Sequence, residues 1–328
     1  MTVQNPLILA LPSKGRLQEN TAQFFSRAGM EFLQGRGARD YRGAIIDLPG
    51  IELAFLSAGE IVAQLDEGAA HLGVTGEDLV REQVADADAR LTLLTPLGFG
   101  HANVVVAAPQ AWIDVRTMAD IEDVAANYHL RRGERMRVAT KYVNLTRRFF
   151  AQHHINDYRI VESLGATEGA PAAGAAELIV DIATTGATLE ANALKTLEDG
   201  TLLRSQANLV ASRQALWDEQ TLQSARSMLL RISAAQEAGR MRELRARIAG
   251  PTHAIFEAAR SQFGAEAAFG QDADAHGFIG LHCPKANVAA LADWLLGQGA
   301  ERVSVSAPEH IFSAKNALYD TLVERLRG

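Results

Sequence analysis

Short apolar runs, each followed by a polar loop and then by apolar residues at helical spacing, recur along the first part of the chain. Residues 7–11 form a continuous apolar run typical of buried parallel strands, and Leu17 and Phe25 follow at helical spacing. Similar strand, loop and helix patterns begin at residues 53–56 and 71–75. This succession predicts an α/β fold with a parallel sheet.

The pattern is interrupted at residues 94–100, where proline and glycine punctuate the chain before a new strand at residues 103–108. A second series of strands and helices follows, and residues 208–212 predict a strand that returns to the first series. Two such crossovers predict two α/β lobes with a cleft between them. The predicted boundaries are residues 1–98 with 195–217 for lobe I and residues 99–194 for lobe II.

From residue 218 onward the sequence changes to long charged stretches, which predict helices over residues 219–248 and 254–263. A predicted strand, helix and strand then follow and form half of a ferredoxin-like unit. We therefore expect a separate α+β domain, ferredoxin-like or ACT-like, over residues 218–328. Two interpretations stay open: a regulatory or oligomerisation domain, or packing that only enlarges a dimer interface.

Composition narrows the function classes. The formal net charge of −7 gives no basic surface for nucleic acid, so an anionic substrate needs locally placed cations. A single cysteine, Cys283, excludes an internal disulfide framework and a thiolate zinc cluster, which favours a reducing, cytoplasmic setting. Residues 1–15 lack the basic segment of a secretory signal, and no run approaches the ~20 apolar residues of a membrane helix.

A candidate anion site lies in residues 177–192, which predict a strand, a tight loop and a helix. A helix start offers unpaired backbone N–H groups, the adjacent threonines add hydroxyl donors, and Gly186 allows close approach of a ligand. No lysine follows the glycine, so the loop is not a Walker A motif. Asp181 precedes the loop and suits the hydroxyls of a ribose 5-phosphate. On these residues alone, a turn that merely caps a helix is an equally good interpretation.

Other charged residues follow predicted strands. Lys14 and Arg16 come after the first strand, where α/β proteins bind ligands, although solvated surface cations often occupy such positions. Glu168 and Glu177 lie close in sequence to Asp181, and such acids together with substrate phosphates suit Mg²⁺. For Glu177 an exposed charge at a strand start is the favoured alternative. Lys141 and Tyr142 also follow a predicted strand, where they suit a pyrophosphate and a stacked base.

Five blocks of the sequence, residues 12–17, 72–78, 139–142, 165–171 and 181–192, follow one another in a specific combination. Together they resemble the ATP phosphoribosyltransferases, which catalyse the first step of histidine biosynthesis. The resemblance implies a two-lobed fold similar to periplasmic solute-binding proteins. It also implies transfer of a 5-phosphoribosyl group from phosphoribosyl diphosphate to N1 of ATP, with Mg²⁺.

By position, the resemblance assigns Glu168 and Asp181 to catalysis, with Glu168 near the sugar and the metal. It implies binding of phosphoribosyl diphosphate by the loop, together with Asp181 and Glu177, and binding of the nucleotide by residues of both lobes. The loop residues are Ala183, Thr184, Thr185, Gly186, Ala187 and Thr188, and the nucleotide residues are Lys14, Gly15, Arg16, Leu72, Gly73, Lys141 and Tyr142.

The chain departs from the family pattern at two positions and in its tail. Many relatives have an acid where His71 stands and a basic residue near Ser57, so the ATP contacts of the family carry over less completely at these two positions. Long-form relatives end in a domain that binds histidine, whereas short forms need a partner chain. We therefore expect a homo-oligomer, with histidine as a possible inhibitor and a partner chain as an open alternative. A two-lobed sensor or non-catalytic regulatory module is the competing hypothesis.

Overall fold

The computed structural model describes residues 5–34, 42–163, 165–249, 252–274 and 276–328. The chain divides into two units, the first comprising Met1–Ala22, Phe32–Leu222 and Leu322–Gly328, and the second Gln23–Glu31 and Gln223–Thr321. Residues 1–4, part of the segment expected to lack a signal, lie outside the described residues. Among the residues described, no helix is both long enough and apolar enough to cross a membrane.

Lobe I of the first unit begins with the predicted apolar strands. Leu7, Leu9 and Leu11 are buried in its first strand, and Ile61 and Leu65 bury the inner face of its second helix. Because such strands are apolar on both faces, they lie in the middle of the sheet. The elements are β1 (Leu7–Pro12), α1 (Gly15–Arg27), β2 (Phe32–Gln34), β3 (Arg42–Ile45), β4 (Leu48–Leu56), α2 (Ala58–Asp66), β5 (Leu72–Gly76), α3 (Glu77–Gln83), α4 (Ala87–Arg90) and β6 (Leu91–Pro96).

Lobe II contains the second series, and the chain then returns to lobe I. Helices α5 and α6 bury Ile121 and Phe150 against the lobe II strands in one apolar cluster. The elements are β7 (Asn103–Pro109), α5 (Met118–Arg132), β8 (Met136–Thr140), α6 (Val143–Gln152), β9 (Tyr158–Glu162), a 3₁₀ turn (Thr167–Gly169), β10 (Leu178–Ala183), α7 (Ala187–Ala191), β11 (Leu194–Leu203) and the returning strand β12 (Ala207–Ser212).

The strand order confirms the two-lobed α/β prediction. One seven-stranded sheet has the order β2-β3-β4-β1-β5-β12-β6, and a five-stranded sheet has the order β11-β7-β10-β8-β9. Strands β4, β1 and β5 pair in parallel as expected, and β8 pairs in parallel with both β9 and β10. The return strand β12 is antiparallel to β5 and β6. The chain therefore crosses between the lobes twice.

The second unit contains a complete ferredoxin-like fold. Its four strands have the order β14-β15-β13-β16 with antiparallel neighbours, and two helices interrupt the strands in a βαββαβ sequence. The predicted ferredoxin-like class is confirmed. The elements of this part are α8 (Glu219–Arg240), β13 (Met241–Arg247), α9 (His253–Phe263), β14 (Glu266–Ala267), β15 (Phe278–Pro284), a 3₁₀ turn (Lys285–Asn287), α10 (Val288–Gly297), β16 (Val303–Ser306) and α11 (Ala317–Arg327).

The prediction of a helix over residues 219–248 was wrong at its end. Helix α8 stops at Arg240, and the following residues form the central strand β13. Leu244 and Ala246 are buried, whereas Arg245 and Arg247 are exposed, so the burial has the period of two that defines a strand. The helix prediction failed here because these residue types have good helix propensity. Tertiary packing makes the segment a strand instead.

Candidate functional site

Three charged side chains meet at the carboxyl edge of the lobe II sheet. Strands β8 and β10 run in parallel with Val180 opposite Thr140, so Lys141 leaves β8 beside Asp181 of β10. The 3₁₀ turn that contains Glu168 brings a second carboxylate within electrostatic range of Asp181. Ligands of α/β proteins bind at this edge of the sheet. The structure thus places two other candidates from the sequence, Glu168 and Lys141, within electrostatic range of Asp181.

The Asp181 carboxyl group is partly buried, and its environment disfavours the charged form. Burial is the main cause that raises its pKa, and the negative charge of Glu168 adds to the shift. The N–H of Ile182, which donates to Asp181 Oδ1 at 2.8 Å, and the positive charge of Lys141 act in the opposite direction. A cation or a hydroxyl donor placed here would therefore stabilise the Asp181 carboxylate.

The loop that follows Asp181 is open on its outer side. Thr184, Thr185 and Thr188 are exposed, and the Thr184 hydroxyl donates to the His101 carbonyl at 3.2 Å. Gly186 has a φ of 78°, and a Cβ built on it meets no other atom within 4 Å. Glycine is therefore needed here for its left-handed backbone and not for lack of space. The loop presents threonine hydroxyl groups to solvent, as an anion cradle requires.

Lys14, Gly15 and Arg16 lie at the carboxyl edge of the lobe I sheet. All three are exposed, and among the residues described here no carboxylate forms a salt bridge with either cation. The Ser13 N–H donates to the Leu56 carbonyl at 2.9 Å, which places Ser57 at the same edge. Ser57 is the N-cap of α2, where its hydroxyl accepts from the Glu60 N–H. Lys14 and Arg16 thus remain candidate anion contacts, whereas Ser57 has a structural role.

Leu72 and Gly73 do not lie where the resemblance implied. Both belong to β5 in the middle of the sheet, and Leu72 is 0% exposed. A Cβ on Gly73 would lie 2.9 Å from Ile61 Cγ2 and 3.0 Å from Leu65 Cδ1 of α2. These two residues are core positions that let a helix pack closely on the sheet. The nucleotide-binding assignment of Leu72 and Gly73 is corrected accordingly.

Gly73→Ala is expected to lower the free energy of unfolding by about 1–3 kcal/mol, because the added methyl group overpacks the contact with α2. Urea denaturation measures this loss. The KM for ATP should stay within about twofold of the wild type, since a packing change away from the ligand leaves binding energy intact. A selective rise in this KM without a loss of stability would restore the original assignment.

His71 lies at the amino end of β5, the opposite end from the ligand edge. Its Nδ1 accepts from the Ile8 N–H at 3.1 Å, and its Nε2 lies 3.1 Å from the Leu216 carbonyl, to which it donates in the neutral tautomer. Burial lowers the pKa of His71, with the Leu216 carbonyl and the Asp218 charge opposing the shift. His71 therefore joins two backbone segments of lobe I.

This buried imidazole predicts a pH effect on stability. A lowered folded-state pKa means that the unfolded chain binds the proton more tightly, so stability falls as pH decreases below the ordinary histidine pKa of about 6.5. His71→Gln should be less stable by about 1 kcal/mol at pH 8 through lost hydrogen bonds, but its stability should change less between pH 8 and 5. Thermal unfolding across this range tests the effect, and parallel curves for both proteins would contradict it.

Tyr142 is buried and does not present a ring to a base. It is 1% exposed, and its hydroxyl donates to Asp78 Oδ2 at 2.8 Å. Burial, and then the negative charge of Asp78, raise the pKa of Tyr142. Lys141 Nζ lies 5.0 Å from the centre of its ring. The predicted stacking of Tyr142 on adenine is corrected: the ring supports Lys141.

The sequence did not reveal that Asp78 and Ser205 form a hydrogen-bonded pair. Asp78 follows β5 in the first turn of α3, and its Oδ1 accepts from the Ser205 hydroxyl at 2.9 Å. A carboxylate directly after a parallel strand is a signal that the sequence does contain. Ser205 lies in the connection between β11 and β12, and no sequence feature marked it.

Glu177 lies at the amino end of β10, away from the loop. It accepts from Arg137 Nη2 and from the Arg137 backbone N–H, both at 2.6 Å, and from the Tyr128 hydroxyl at 3.0 Å. Burial acts to raise its pKa, but these donors outweigh burial and lower it. The structure therefore does not bring Glu177 to the ligand edge. Its ion pair anchors the start of the strand.

The described residues contain no group of three or more His, Cys, Asp or Glu side chains that could hold a metal ion by themselves. Two carboxylates, Glu168 and Asp181, interact at the ligand edge. Carboxylate oxygens are suitable ligands for Mg²⁺, which usually keeps several waters and takes further ligands from substrate phosphates. The donor set therefore fits a Mg²⁺ ion that arrives with a diphosphate.

Comparison with known proteins decides the family. A family model described as ATP phosphoribosyltransferase matches residues 57–234, which include β10, the loop and the Asp78 turn. The chain belongs to the ATP phosphoribosyltransferase family. The predicted family and enzyme class, a pentosyltransferase of histidine biosynthesis, are confirmed.

Individual relatives agree with the family over the whole length. An ATP phosphoribosyltransferase of Bradyrhizobium diazoefficiens is 58% identical over 322 residues, covering 98% of this chain and 99% of the relative. One from Rhodopseudomonas palustris is 55% identical over 322 residues, with the same coverage. A solved ATP phosphoribosyl transferase (HisG:HisZ) complex from Thermotoga maritima contains a chain that is 25% identical, with a TM-score of 0.48 over 63% of this chain and 87% of that chain.

Proposed function

We propose that this enzyme transfers the 5-phosphoribosyl group from phosphoribosyl diphosphate to N1 of ATP at the carboxyl edge of β8 and β10. The observation that supports this location is the convergence of Asp181, Glu168 and Lys141 beside an open, hydroxyl-rich loop. An anionic sugar phosphate needs donors on one side and a hydroxyl acceptor on the other. This edge of the sheet offers both.

In this proposal the loop of residues 183–188 binds the 5-phosphate. Backbone N–H groups and the hydroxyls of Thr185 and Thr188 donate to the phosphate oxygens, and the left-handed Gly186 sets the turn. Asp181 accepts from the ribose 2′- and 3′-hydroxyls. These hydrogen bonds favour the charged Asp181, against the burial that disfavours it.

The chemistry requires positioning and charge stabilisation more than a covalent nucleophile. N1 of adenine already has a lone pair, and diphosphate leaves as an anion. Lys141 lies near enough to offset the departing negative charge, and Lys14 and Arg16 of lobe I supply further positive charge. The carboxylates of Asp181 and Glu168 stabilise the positive charge that develops on the sugar ring.

Mg²⁺ is the proposed cofactor. Glu168 and Asp181 are the residues that would hold it together with the diphosphate oxygens. When bound, the ion neutralises charge on the diphosphate leaving group. Because few protein ligands are involved, the ion should bind with the substrate.

The ferredoxin-like unit is proposed as a regulatory or oligomerisation domain, with residues 218–328 as the predicted domain. We propose a cytoplasmic homo-oligomer, which agrees with a buried free thiol at Cys283. Free histidine is the proposed inhibitor, and a separate regulatory chain is the alternative. Adding increasing histidine while measuring the initial rate and the light scattering of the protein tests histidine as the inhibitor. An unchanged rate and an unchanged particle size would rule it out.

The activity itself is tested by mixing the protein with ATP, phosphoribosyl diphosphate and Mg²⁺ and following ultraviolet absorbance. The N1-substituted adenine nucleotide should accumulate in proportion to enzyme concentration. A sensor or a non-catalytic regulatory module would bind ligands and yield no product.

A further inference from the structure

Asp78 is a buried carboxylate that is held by hydroxyl groups. It is 6% exposed, and within the described part of the chain no salt bridge involves it. Tyr142 donates to Oδ2 at 2.8 Å and Ser205 to Oδ1 at 2.9 Å, while the Asp78 N–H donates to Ser205 Oγ at 3.0 Å. A buried charge without a cation is costly unless its hydrogen bonds are complete. Both donors are therefore needed.

The three residues come from three different parts of the first unit. Asp78 belongs to lobe I, Tyr142 to lobe II, and Ser205 to the crossover that returns from lobe II to lobe I. A second contact lies one helical turn away, where the Glu82 carboxylate accepts from the N–H groups of Asn144 and Leu145, both at 2.9 Å. Helix α3 of lobe I therefore caps the start of α6 in lobe II and fixes the segment around Tyr142.

Tyr142 in turn positions a cation of the proposed active site. Lys141 Nζ lies 5.0 Å from the centre of the Tyr142 ring, within the range of a cation–π interaction. The same lysine interacts electrostatically with Asp181. Burial of the ring and the hydrogen bond to Asp78 restrict Tyr142, so its ring offers Lys141 a defined surface.

We propose that Asp78 is a positioning residue that acts through Tyr142 to hold Lys141 beside Asp181 and the diphosphate. Asp78 itself touches no substrate in this account. The inference rests on the proposed site, since it assigns the effect to Lys141. It goes further by naming the contact between the lobes that sets the position of this cation.

A double-mutant cycle tests the proposal. Tyr142→Phe removes the hydroxyl and keeps the ring, and it should lower kcat/KM for phosphoribosyl diphosphate about tenfold. In a Lys141→Met background, the same change should have little further effect, because the cation that it positions is gone. A merely structural role for Tyr142 would lower kcat/KM by the same factor in both backgrounds, and that result would overturn the proposal.

Tyr158→Phe is the matched control. Tyr158 is a partly buried tyrosine of the same lobe that packs against Phe150, away from Asp78. Its replacement should leave kcat/KM within about twofold of the wild type. If Tyr142→Phe does not fold, Ser205→Ala replaces it in the cycle, because it removes the other donor to Asp78. If the variant used in the cycle, Tyr142→Phe or Ser205→Ala, keeps the wild-type kcat/KM, the proposal is overturned. Inactivity of the wild-type protein itself would instead contradict the proposed function.

Discussion

Asp181→Asn is expected to lower kcat/KM for phosphoribosyl diphosphate by about a hundredfold, equivalent to about 3 kcal/mol. Asparagine keeps the shape of the side chain and still accepts from the Ile182 N–H, which donates to Asp181 Oδ1 at 2.8 Å. It lacks the two negatively charged oxygens that accept hydrogen bonds from the ribose hydroxyls and that stabilise positive charge on the sugar ring. Steady-state rates with varied phosphoribosyl diphosphate at saturating ATP measure the loss.

Glu177→Gln provides the matched control on the same strand. Glu177 was also assigned to substrate binding from sequence, but its carboxylate is held by Arg137 and Tyr128 at the amino end of β10. This variant should lose stability and keep the KM for phosphoribosyl diphosphate within about twofold. Equal losses of kcat/KM in both variants would contradict the assignment of Asp181 as the ribose contact.

Asp181→Asn should also unfold at a higher temperature than the wild type at pH 7. Burial, together with Glu168, raises the pKa of Asp181 in the folded state. The folded chain therefore binds the proton more tightly than the unfolded chain, so the ionised carboxylate destabilises the fold at neutral pH. The difference between the two proteins should shrink as pH falls and Asp181 takes up its proton. A difference that grows on acidification would contradict this cause.

Gly186→Val is expected to raise the KM for phosphoribosyl diphosphate at least tenfold, an effect of about 1–2 kcal/mol from backbone strain alone. Gly186 has a φ of 78°, which a β-branched residue adopts only at high cost. The loop must then change its backbone, and its N–H groups no longer converge on a phosphate. Isothermal titration calorimetry with phosphoribosyl diphosphate measures the affinity directly.

Gly133→Val is the control for backbone strain. Gly133 has a φ of 70° at the end of α5, and its Cβ position is equally open. The variant should lose about as much stability as Gly186→Val and bind phosphoribosyl diphosphate normally. Weakened binding in both variants would show that strain acts through global stability and not through the phosphate loop.

Much of the architecture of the first unit could be predicted because its signals are local, but residues 195–203, predicted for lobe I, belong to β11 in the lobe II sheet. Strands β1, β5 and β12 are short apolar runs, and proline and glycine mark the crossover before β7. The second unit was only half predicted. The seven residues of β13 have good helix propensity, and only their pairing with β15 and β16 makes them a strand.

The site could be predicted where polar residues follow a strand. Asp181 and Lys141 were proposed in this way, because parallel strands end at one edge, whereas Glu168 was proposed because it lies close to Asp181 in sequence. The ligand-binding assignments of four residues were wrong for a shared reason. These residues are Tyr142, Leu72, Gly73 and Glu177. A residue next to a ligand loop in sequence can point into the core or lie at the other end of the strand, and only tertiary packing decides which.

The departure at His71 illustrates the same limit. The departure from the family pattern left the ATP contacts unassigned at this position, and the structure shows that the residue joins Ile8 to Leu216 at the far end of β5. Asp78 shows the reverse case. It lies in a block that sequence reasoning noticed for its resemblance, and its partner Ser205 is 127 residues away in the chain.

A crystal structure with bound phosphoribosyl diphosphate tests the central claim most directly. The 5-phosphate is expected within hydrogen-bond distance of the amides and hydroxyls of residues 184–188, with the ribose hydroxyls at Asp181. Density for the sugar phosphate at another position, with no ligand in this loop, would contradict it.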